Sequence, residues 1–309
     1  MTTTSAPQDW NERTHRFALT VWVEPGDATL GQWLLDLEQA GHPTPVQHIL
    51  TTVREHPDTL HGDRADLARR VRPRLTDTDA VEAAIRWLDD HAYSWFLTPT
   101  DPDWPSQLDD LGPYRPYGLW GTGDPTTLTR RHRTTIEGAR ASTAYGEHIA
   151  TELTTVLVER GHAIITGAAY GIEAAATRAT LAARGTPIAA LAGGIDRPYP
   201  TGHTSLLERV AATGAVISEV APKHTPTKWR FLARGRILAA LAQHTVIVEA
   251  GWRSGALNTA THAVALNRFL GAVPGPITSA ASAGCHRIIR ELDAHLITSA
   301  DDIPAADNT

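Results

Sequence analysis

The sequence predicts an α/β fold, in which a small helical domain precedes a doubly wound, mostly parallel sheet. In the first part of the 309-residue chain, apolar residues recur at helical spacing. From about residue 134, short apolar runs alternate with amphipathic helical stretches. Runs that are apolar throughout are typical of parallel strands covered by helices on both faces, as in Rossmann-like domains. Ligands of such sheets bind at the carboxyl ends of the strands, so functional residues are expected there.

We predict a helical domain over residues 1–94, where apolar side chains recur at intervals of three and four residues. Residues 95–130 are rich in proline, aspartate and aromatic residues, which favour turns over a regular element, so this segment is predicted to be a packed connector. The Rossmann-like domain is placed at residues 131–300, and residues 301–309 are expected to form a flexible tail.

Five strands are predicted in the Rossmann-like domain, and several of them end at a glycine or a carboxylate that is followed by a helix start. They lie in the runs 134–138, 162–167, 187–194, 214–220 and 244–251.

Composition limits the possible functions. The formal net charge of −6 argues against non-specific coating of nucleic acid, so a polyanion site requires local clustering of Lys and Arg. The single cysteine, Cys285, excludes an internal disulfide framework and fits a reducing cytoplasm, which we predict as the location. We expect no membrane association, because no apolar stretch approaches about 18 residues and the N-terminus lacks a signal-peptide core.

Positive charge is concentrated in KWRFLARGRI, residues 228–237. Four basic residues lie in it: Lys228, Arg230, Arg234 and Arg236. Helical spacing places Arg230 and Arg234 on a shared face, and one of them is expected to point toward the strand ends. Trp229 and Phe231 are either core anchors or rings that stack on the bases of a single strand.

Glycine-containing loops follow the first two predicted strands. Gly138 lets the backbone approach a ligand, and Arg140 projects where helix N-terminal amides favour an anion, with Ser142 as the predicted N-cap. Gly167 and Gly171 resemble the glycines of a phosphate-cradling turn but match neither the dinucleotide-binding pattern nor the P-loop pattern. A phosphate group is therefore the expected ligand, and an ordinary NAD or ATP site is not expected.

We predict no catalytic residues, no metal site and no cofactor. Asp196 and Glu249 follow predicted strands, but no Ser/His/Asp set or metal cluster accompanies them, so we expect them to orient arginines or cap turns. The 15 histidines lack the close spacing of a metal site, and Cys285 is expected to be a buried thiol.

Seven blocks of the sequence resemble the DNA-processing protein A (DprA/Smf) family. They are GAR…YG (138–146), ITGAAYGIEAAA (165–176), LAGGIDRPYP (191–200), ISEV (217–220), FLARGR (231–236), VEAGWRSGALNTA (248–260) and VPGP…SAGCH (273–286). The resemblance implies a Rossmann-like domain that binds single-stranded DNA in a basic pocket, preceded by a sterile-alpha-motif-like domain. It also implies a homodimer that loads RecA recombinase onto incoming single strands during natural transformation, the DNA uptake of competent cells.

The strand-end glycines, the basic residues and the resemblance together give a predicted set of nucleic-acid contacts. The set is Gly138, Arg140, Gly167, Tyr170, Gly171, Lys228, Trp229, Arg230, Arg234 and Arg236. Departures from the family pattern in GAAYGIE (167–173) and at Gly235 leave two alternatives open. One is a sensor of a small nucleotide, and the other is a nucleoside-monophosphate glycosidic hydrolase of the related lysine-decarboxylase-like superfamily. The Gly-Gly-x-Gly-Thr-x-x-Glu block of such hydrolases is absent from the sequence, which favours a protein that is not an enzyme.

Overall fold

A nine-stranded sheet runs through the protein in the computed structural model, which describes residues 10–305. The strands are β1 Ser94–Leu97, β2 Leu119–Gly123, β3 Arg133–Glu137, β4 Ala163–Thr166, β5 Pro187–Leu191, β6 Ala215–Ser218, β7 His244–Ile247, β8 Phe269–Ala272 and β9 His295–Leu296. Their order across the sheet is β1-β2-β6-β5-β4-β3-β7-β8-β9. All neighbours from β6 to β9 are parallel, whereas β2 is antiparallel to both β1 and β6. The predicted α/β class with a mostly parallel, doubly wound sheet is confirmed.

The α-helices of the described residues fall into two groups. Five precede the sheet: α1 Glu12–Trp22, α2 Ala28–Gln39, α3 Pro45–Glu55, α4 Asp63–Val71 and α5 Thr78–Asp89. Six follow its strands: α6 Ala144–Glu159, α7 Ile172–Ala182, α8 Thr204–Thr213, α9 Lys228–Leu241, α10 Ala256–Ala265 and α11 Ala283–Glu291. No helix in residues 10–305 is both long enough and apolar enough to span a bilayer.

The N-terminal helices share a hydrophobic core with one side of the sheet. The ring of Phe17 on α1 lies 4.4 Å from that of Trp120 on β2 and 5.1 Å from that of Phe96 on β1. Trp120 is fully buried, and its indole Nε1 donates to Oγ1 of Thr20 at 3.0 Å. Aromatic pairs of this kind stabilise by about 0.5–1.5 kcal/mol beyond their buried area, so they fix α1 against the antiparallel edge.

Three local expectations from the sequence are corrected by the structure. Residues 95–130 contain β2 and most of β1 rather than only turns, because the edge of β6 offers β2 a partner for backbone hydrogen bonds. The N-cap of α6 is Thr143, which accepts from Gly146 N, whereas Ser142 donates to Glu147. In the segment expected to be a flexible tail, Asp301 and Asp302 lie in a capped 3-10 turn, and residues 306–309 lie outside the described residues.

Candidate functional site

A pocket of about 250 Å³ opens where the strand order reverses. After β3 the chain proceeds to β4 on one side, whereas β7 pairs with β3 on the other, so β3 and β7 flank the topological switch point. Open α/β sheets bind their ligands in the crevice at this place. We call it the switch-point pocket, and its lining residues are Glu137, Gly138, Arg140, Glu173, Phe231, Leu232, Arg234, Ser254, Gly255 and Ala256.

The loop after β3 brings Arg140 to the mouth of the pocket. The amide of Ala139 donates to the carbonyl oxygen of Glu249 at 2.7 Å, and a Cβ at Gly138 would come within 2.7 Å of that same oxygen. The loop therefore passes closely over the end of β7. Arg140 is exposed, and no ion pair to it exists among the described residues. Its guanidinium carbon lies 4.6 Å from the ring centre of Phe231.

Phe231 connects the groups around the pocket, although it is absent from the contact set that the sequence predicts. Besides Arg140, the guanidinium of Arg234 lies 5.4 Å from its ring centre, and the ring of Tyr199 meets it edge-on at 5.6 Å. An aromatic residue between basic residues is the sequence signal for this position, but only the structure shows which arginines contact the ring. Cations over an aromatic face are attracted by about 0.5–2 kcal/mol, so Phe231 orients both guanidinium groups.

Arg234 forms the floor of the pocket and points toward the strand ends, as expected for one of the two arginines. It is buried, and its Nη1 donates to the carbonyl oxygen of Gly167 at 3.0 Å. A side chain at Gly167 would overlap this guanidinium, so the glycine makes room for it. Gly171, at φ +77°, allows the start of α7 to contact the carbonyl groups of Ala139 and Arg140. Both predicted glycines thus allow close packing around the pocket.

Two buried carboxylates flank Arg234. The Glu173 carboxylate lies 3.7 Å from Nη2 of Arg234 and accepts a hydrogen bond from the amide of Ala169 at 3.0 Å. Oε2 of Glu137 is buried without a hydrogen-bond partner among the described residues. Burial raises the pKa of Glu137 to about 7, and the Glu173 charge adds to this rise, whereas Arg234 opposes it. The floor therefore has one arginine shared between two carboxyl groups.

The pKa of Glu137 predicts a pH-dependent stability. Folded Glu137 holds its proton up to about pH 7, against a reference pKa of 4.5, so its contribution to stability is fully present below pH 4.5 and is lost as the pH rises through 7. We expect Glu137→Gln to be more stable than the wild type at pH 8 and to lose this advantage at pH 5. Thermal unfolding of both proteins across this range measures the difference. A constant difference at all pH values would contradict the assigned pKa.

Arg230 and Arg236 face into the protein. Arg230 donates to both carboxylate oxygens of Glu24, at 2.8 and 2.9 Å. Arg236 forms a two-point ion pair with Glu219 and donates from Nε to the carbonyl oxygen of Tyr114 at 2.8 Å. These positions differ from the expectation of phosphate contacts, because each guanidinium already pairs with a carboxylate of its own chain. They attach α9 to the N-terminal helical region and to the end of β6.

The other predicted contact residues lie at the surface of the same edge. Lys228 and Trp229 occupy the first turn of α9, and both are exposed. Tyr170 is about half-exposed and meets the ring of His203 edge-on at 4.6 Å. We call the loops and helix starts that follow β3 to β8, at the carboxyl ends of these strands, the rim. The structure thus places Lys228, Trp229 and Tyr170 on the rim, although none of them lines the switch-point pocket.

The remaining titratable groups examined in the sequence have structural roles. The Asp196 carboxylate accepts from the amide of Lys223 at 2.8 Å, and Glu249 accepts from both N and Oγ1 of Thr143 at the start of α6. These contacts confirm the expected capping roles. Cys285 is buried, and burial raises its pKa to about 12, in agreement with an unreactive thiol.

Fold and site together define a class: a doubly wound α/β protein with an arginine-lined pocket at its topological switch point. The model of the DNA recombination-mediator protein A family matches residues 95–306, more than half of the chain. The chain therefore belongs to this family, in agreement with the resemblance of its motifs.

Relatives and solved structures agree with this assignment. A putative DNA processing protein DprA of Mycobacterium tuberculosis is 47% identical over 219 residues, which cover 67% of this chain and 56% of the relative. The chain thus spans little more than half the length of that relative. The structure of DNA processing protein A from Streptococcus pneumoniae has a TM-score of 0.75 at 25% identity and covers 95% of this chain and 97% of its own. The structure of DNA processing protein A from Helicobacter pylori, which binds single-stranded DNA, has a TM-score of 0.61 at 26% identity. It covers 67% of this chain and 93% of its own.

Proposed function

We propose that this protein binds single-stranded DNA at the switch-point pocket and acts in DNA processing and recombination. The observation that carries the proposal is the exposed guanidinium of Arg140, which lies over Phe231 at the mouth of the pocket and forms no ion pair among the described residues. Membership of the family and the likeness to the Helicobacter pylori protein support the same kind of ligand.

The charge distribution of the rim favours a polyanion. Four exposed basic residues of the rim have no ion-pair partner within residues 10–305: Arg140, Lys223, Lys228 and Arg253. Most exposed arginines of the N-terminal helices, in contrast, pair with carboxylates, as Arg69 does with Asp66. Unpaired cations on one edge of an acidic chain attract phosphates, because no carboxylate neutralises them there.

Single strands fit the rim better than a duplex does. Tyr170 and Trp229 present 49% and 59% of their surface to solvent, so their rings are free to stack on unpaired bases. Such stacking contributes about 1–3 kcal/mol per base and is not available from bases that are paired inside a duplex. Phosphate contacts from Arg140 and Lys228, with stacking on these two rings, make up the proposed binding mode. Arg234 lies below these contacts, in the floor of the switch-point pocket.

The wider role follows the family. We propose that the protein is a homodimer without enzymatic activity that acts in the cytoplasm and loads RecA recombinase onto single strands during natural transformation. Family membership supports these points. A pull-down on immobilised oligo-dT tests the loading step. We expect more RecA to be retained in the presence of the protein than with RecA alone, and the protein alone is the second control.

A second candidate function is supported by the carboxyl groups of the floor. A buried glutamate with a pKa near 7 in a cleft is typical of an acid–base group, so a small nucleotide that is bound or hydrolysed in the pocket is the alternative. Incubation with nucleoside monophosphates separates the two functions. Released free base would establish the hydrolase, whereas binding of oligo-dT without release of base supports the proposed function.

The proposed function predicts a salt-dependent affinity. Each phosphate neutralised on a single strand contributes about −0.7 to the slope of log K against log salt concentration, so the contacts of Arg140 and Lys228 give about −1.4. We expect this slope for oligo-dT in fluorescence anisotropy titrations, together with weaker binding of a duplex of equal length. An affinity that does not change with salt, or a preference for the duplex, would contradict the proposal.

A further inference from the structure

Exposed aromatic side chains recur along the rim, one after each successive parallel strand. Across the sheet from β6 to β8 they are Trp229 after β6, Tyr199 after β5, Tyr170 after β4, Tyr145 after β3 and Trp252 after β7, with Ile277 after β8. The five rings are between 43% and 59% exposed. Single exposed apolar residues are ordinary on a protein surface, but here one follows each of six adjacent strands at the same end of the sheet.

The sheet sets the width of the rim. Neighbouring strands lie about 4.8 Å apart, so the ends of the six strands from β6 to β8 span about 24 Å. At a stacked rise of about 3.4 Å per nucleotide, that length corresponds to about seven nucleotides, and to fewer if the strand is extended. The switch-point pocket, between β3 and β7, lies within this row of side chains rather than at its end.

Trp252 lies in the block VEAGWRSGALNTA (248–260) but is absent from the contact set that the sequence predicts. It is 52% exposed, and the described residues supply no second ring against it; the guanidinium of Arg287 lies 5.2 Å from its ring centre. The neighbouring Arg253 is exposed as well. Arg287 also pairs with Glu291 at 2.7 Å, whereas Arg253, next to Trp252 in the sequence, has no ion pair among the described residues. An exposed ring next to an unpaired arginine is suited to a flat, negatively charged ligand, which a membrane surface or an apolar protein partner does not provide.

We propose that the single strand crosses the rim in the direction from β6 to β8, with Tyr199 and Trp252 stacking on bases on either side of the switch-point pocket. This path rests on the proposed binding of single-stranded DNA and extends it to a continuous surface. Arg140 and Lys228 contact phosphates on one part of the path, and Arg253 contacts them beyond β7.

The path predicts an effect of Trp252 that depends on oligonucleotide length. Loss of one stacking contact weakens binding about fivefold or more. We expect Trp252→Ala to show this loss with oligo-dT long enough to cover the row, and little loss with the shortest oligonucleotides that bind. Fluorescence anisotropy with oligo-dT of about 4 to about 16 nucleotides measures it. Trp252→Phe, which keeps a ring, should restore most of the affinity.

Tyr93 provides the matched control. It is 83% exposed and directly precedes β1. Because β1 runs in the same direction as β6, Tyr93 lies at the amino ends of the parallel strands, opposite to the rim. We expect Tyr93→Ala to bind like the wild type at every length. If Trp252→Ala also binds oligo-dT like the wild type, or loses affinity equally for all oligonucleotide lengths, the proposed path is wrong. The proposed binding of single-stranded DNA is not contradicted by either result. If the wild-type protein binds no oligo-dT, the proposed function fails and the path fails with it.

Discussion

Arg236→Ala is expected to lower the free energy of unfolding by about 3–5 kcal/mol, because it leaves a buried carboxylate without its partner. The side chains of Arg236 and Glu219 are only 4% and 7% exposed, and their ion pair is two-pointed. Arg236 also donates to the carbonyl oxygen of Tyr114, which precedes β2. Its removal therefore loosens α9 from both β6 and the segment before β2. Chemical unfolding of the wild type and the variant measures the effect.

Two further variants give this prediction its controls. Arg69→Ala removes a pair whose side chains are 78% and 58% exposed, so we expect a change of about 1 kcal/mol or less. The double variant Arg236→Ala with Glu219→Gln should recover part of the lost stability, because no charge is then left buried. If Arg236→Ala is no less stable than Arg69→Ala, the inward role assigned to Arg236 is incorrect.

Most of the central strands could be predicted from the sequence because they lie in short, largely apolar runs, and all of them are buried throughout. The five predicted runs contain β4 to β7 and all of β3 except Arg133, and these strands lie side by side in the sheet. The edge strands lack this signal. β1 and β2 are short runs in a segment rich in proline and aspartate, and β9 consists of His295 and Leu296, both exposed. Such strands depend on a neighbour for hydrogen bonds, which the local sequence does not reveal.

The candidate site was predictable in position but not in the role of each arginine. Strand-end glycines and the spacing of the α9 arginines indicated the edge of the sheet at which the switch-point pocket lies. The partner of Arg230 is Glu24, more than two hundred positions earlier in the chain, and such a contact has no local sequence signal. The placement of Phe231 against Arg140 likewise depends on two loops that meet only in the folded protein. Helical spacing alone therefore does not separate ligand-facing arginines from buried ones.

Arg140→Ala is expected to weaken binding of oligo-dT about tenfold or more and to leave the protein folded. A hydrogen bond to a charged group contributes about 1.5–3 kcal/mol, and every 1.4 kcal/mol changes an affinity tenfold. Because Arg140 is exposed and has no ion-pair partner in the described part of the chain, its loss removes the contact with Phe231 and should lower the free energy of unfolding by about 1 kcal/mol or less. Arg236→Ala, in contrast, should affect binding only as far as it unfolds the protein.

The most direct test of binding at the switch-point pocket is the affinity of three proteins for the same oligo-dT at one salt concentration: the wild type, Arg140→Ala and Arg290→Ala. Arg290 is an exposed arginine near the end of α11, away from the rim, so its variant controls for the loss of one positive charge. We predict that Arg140→Ala alone loses about tenfold or more in affinity. Equal affinity of all three proteins, each folded, would contradict the assignment of the pocket.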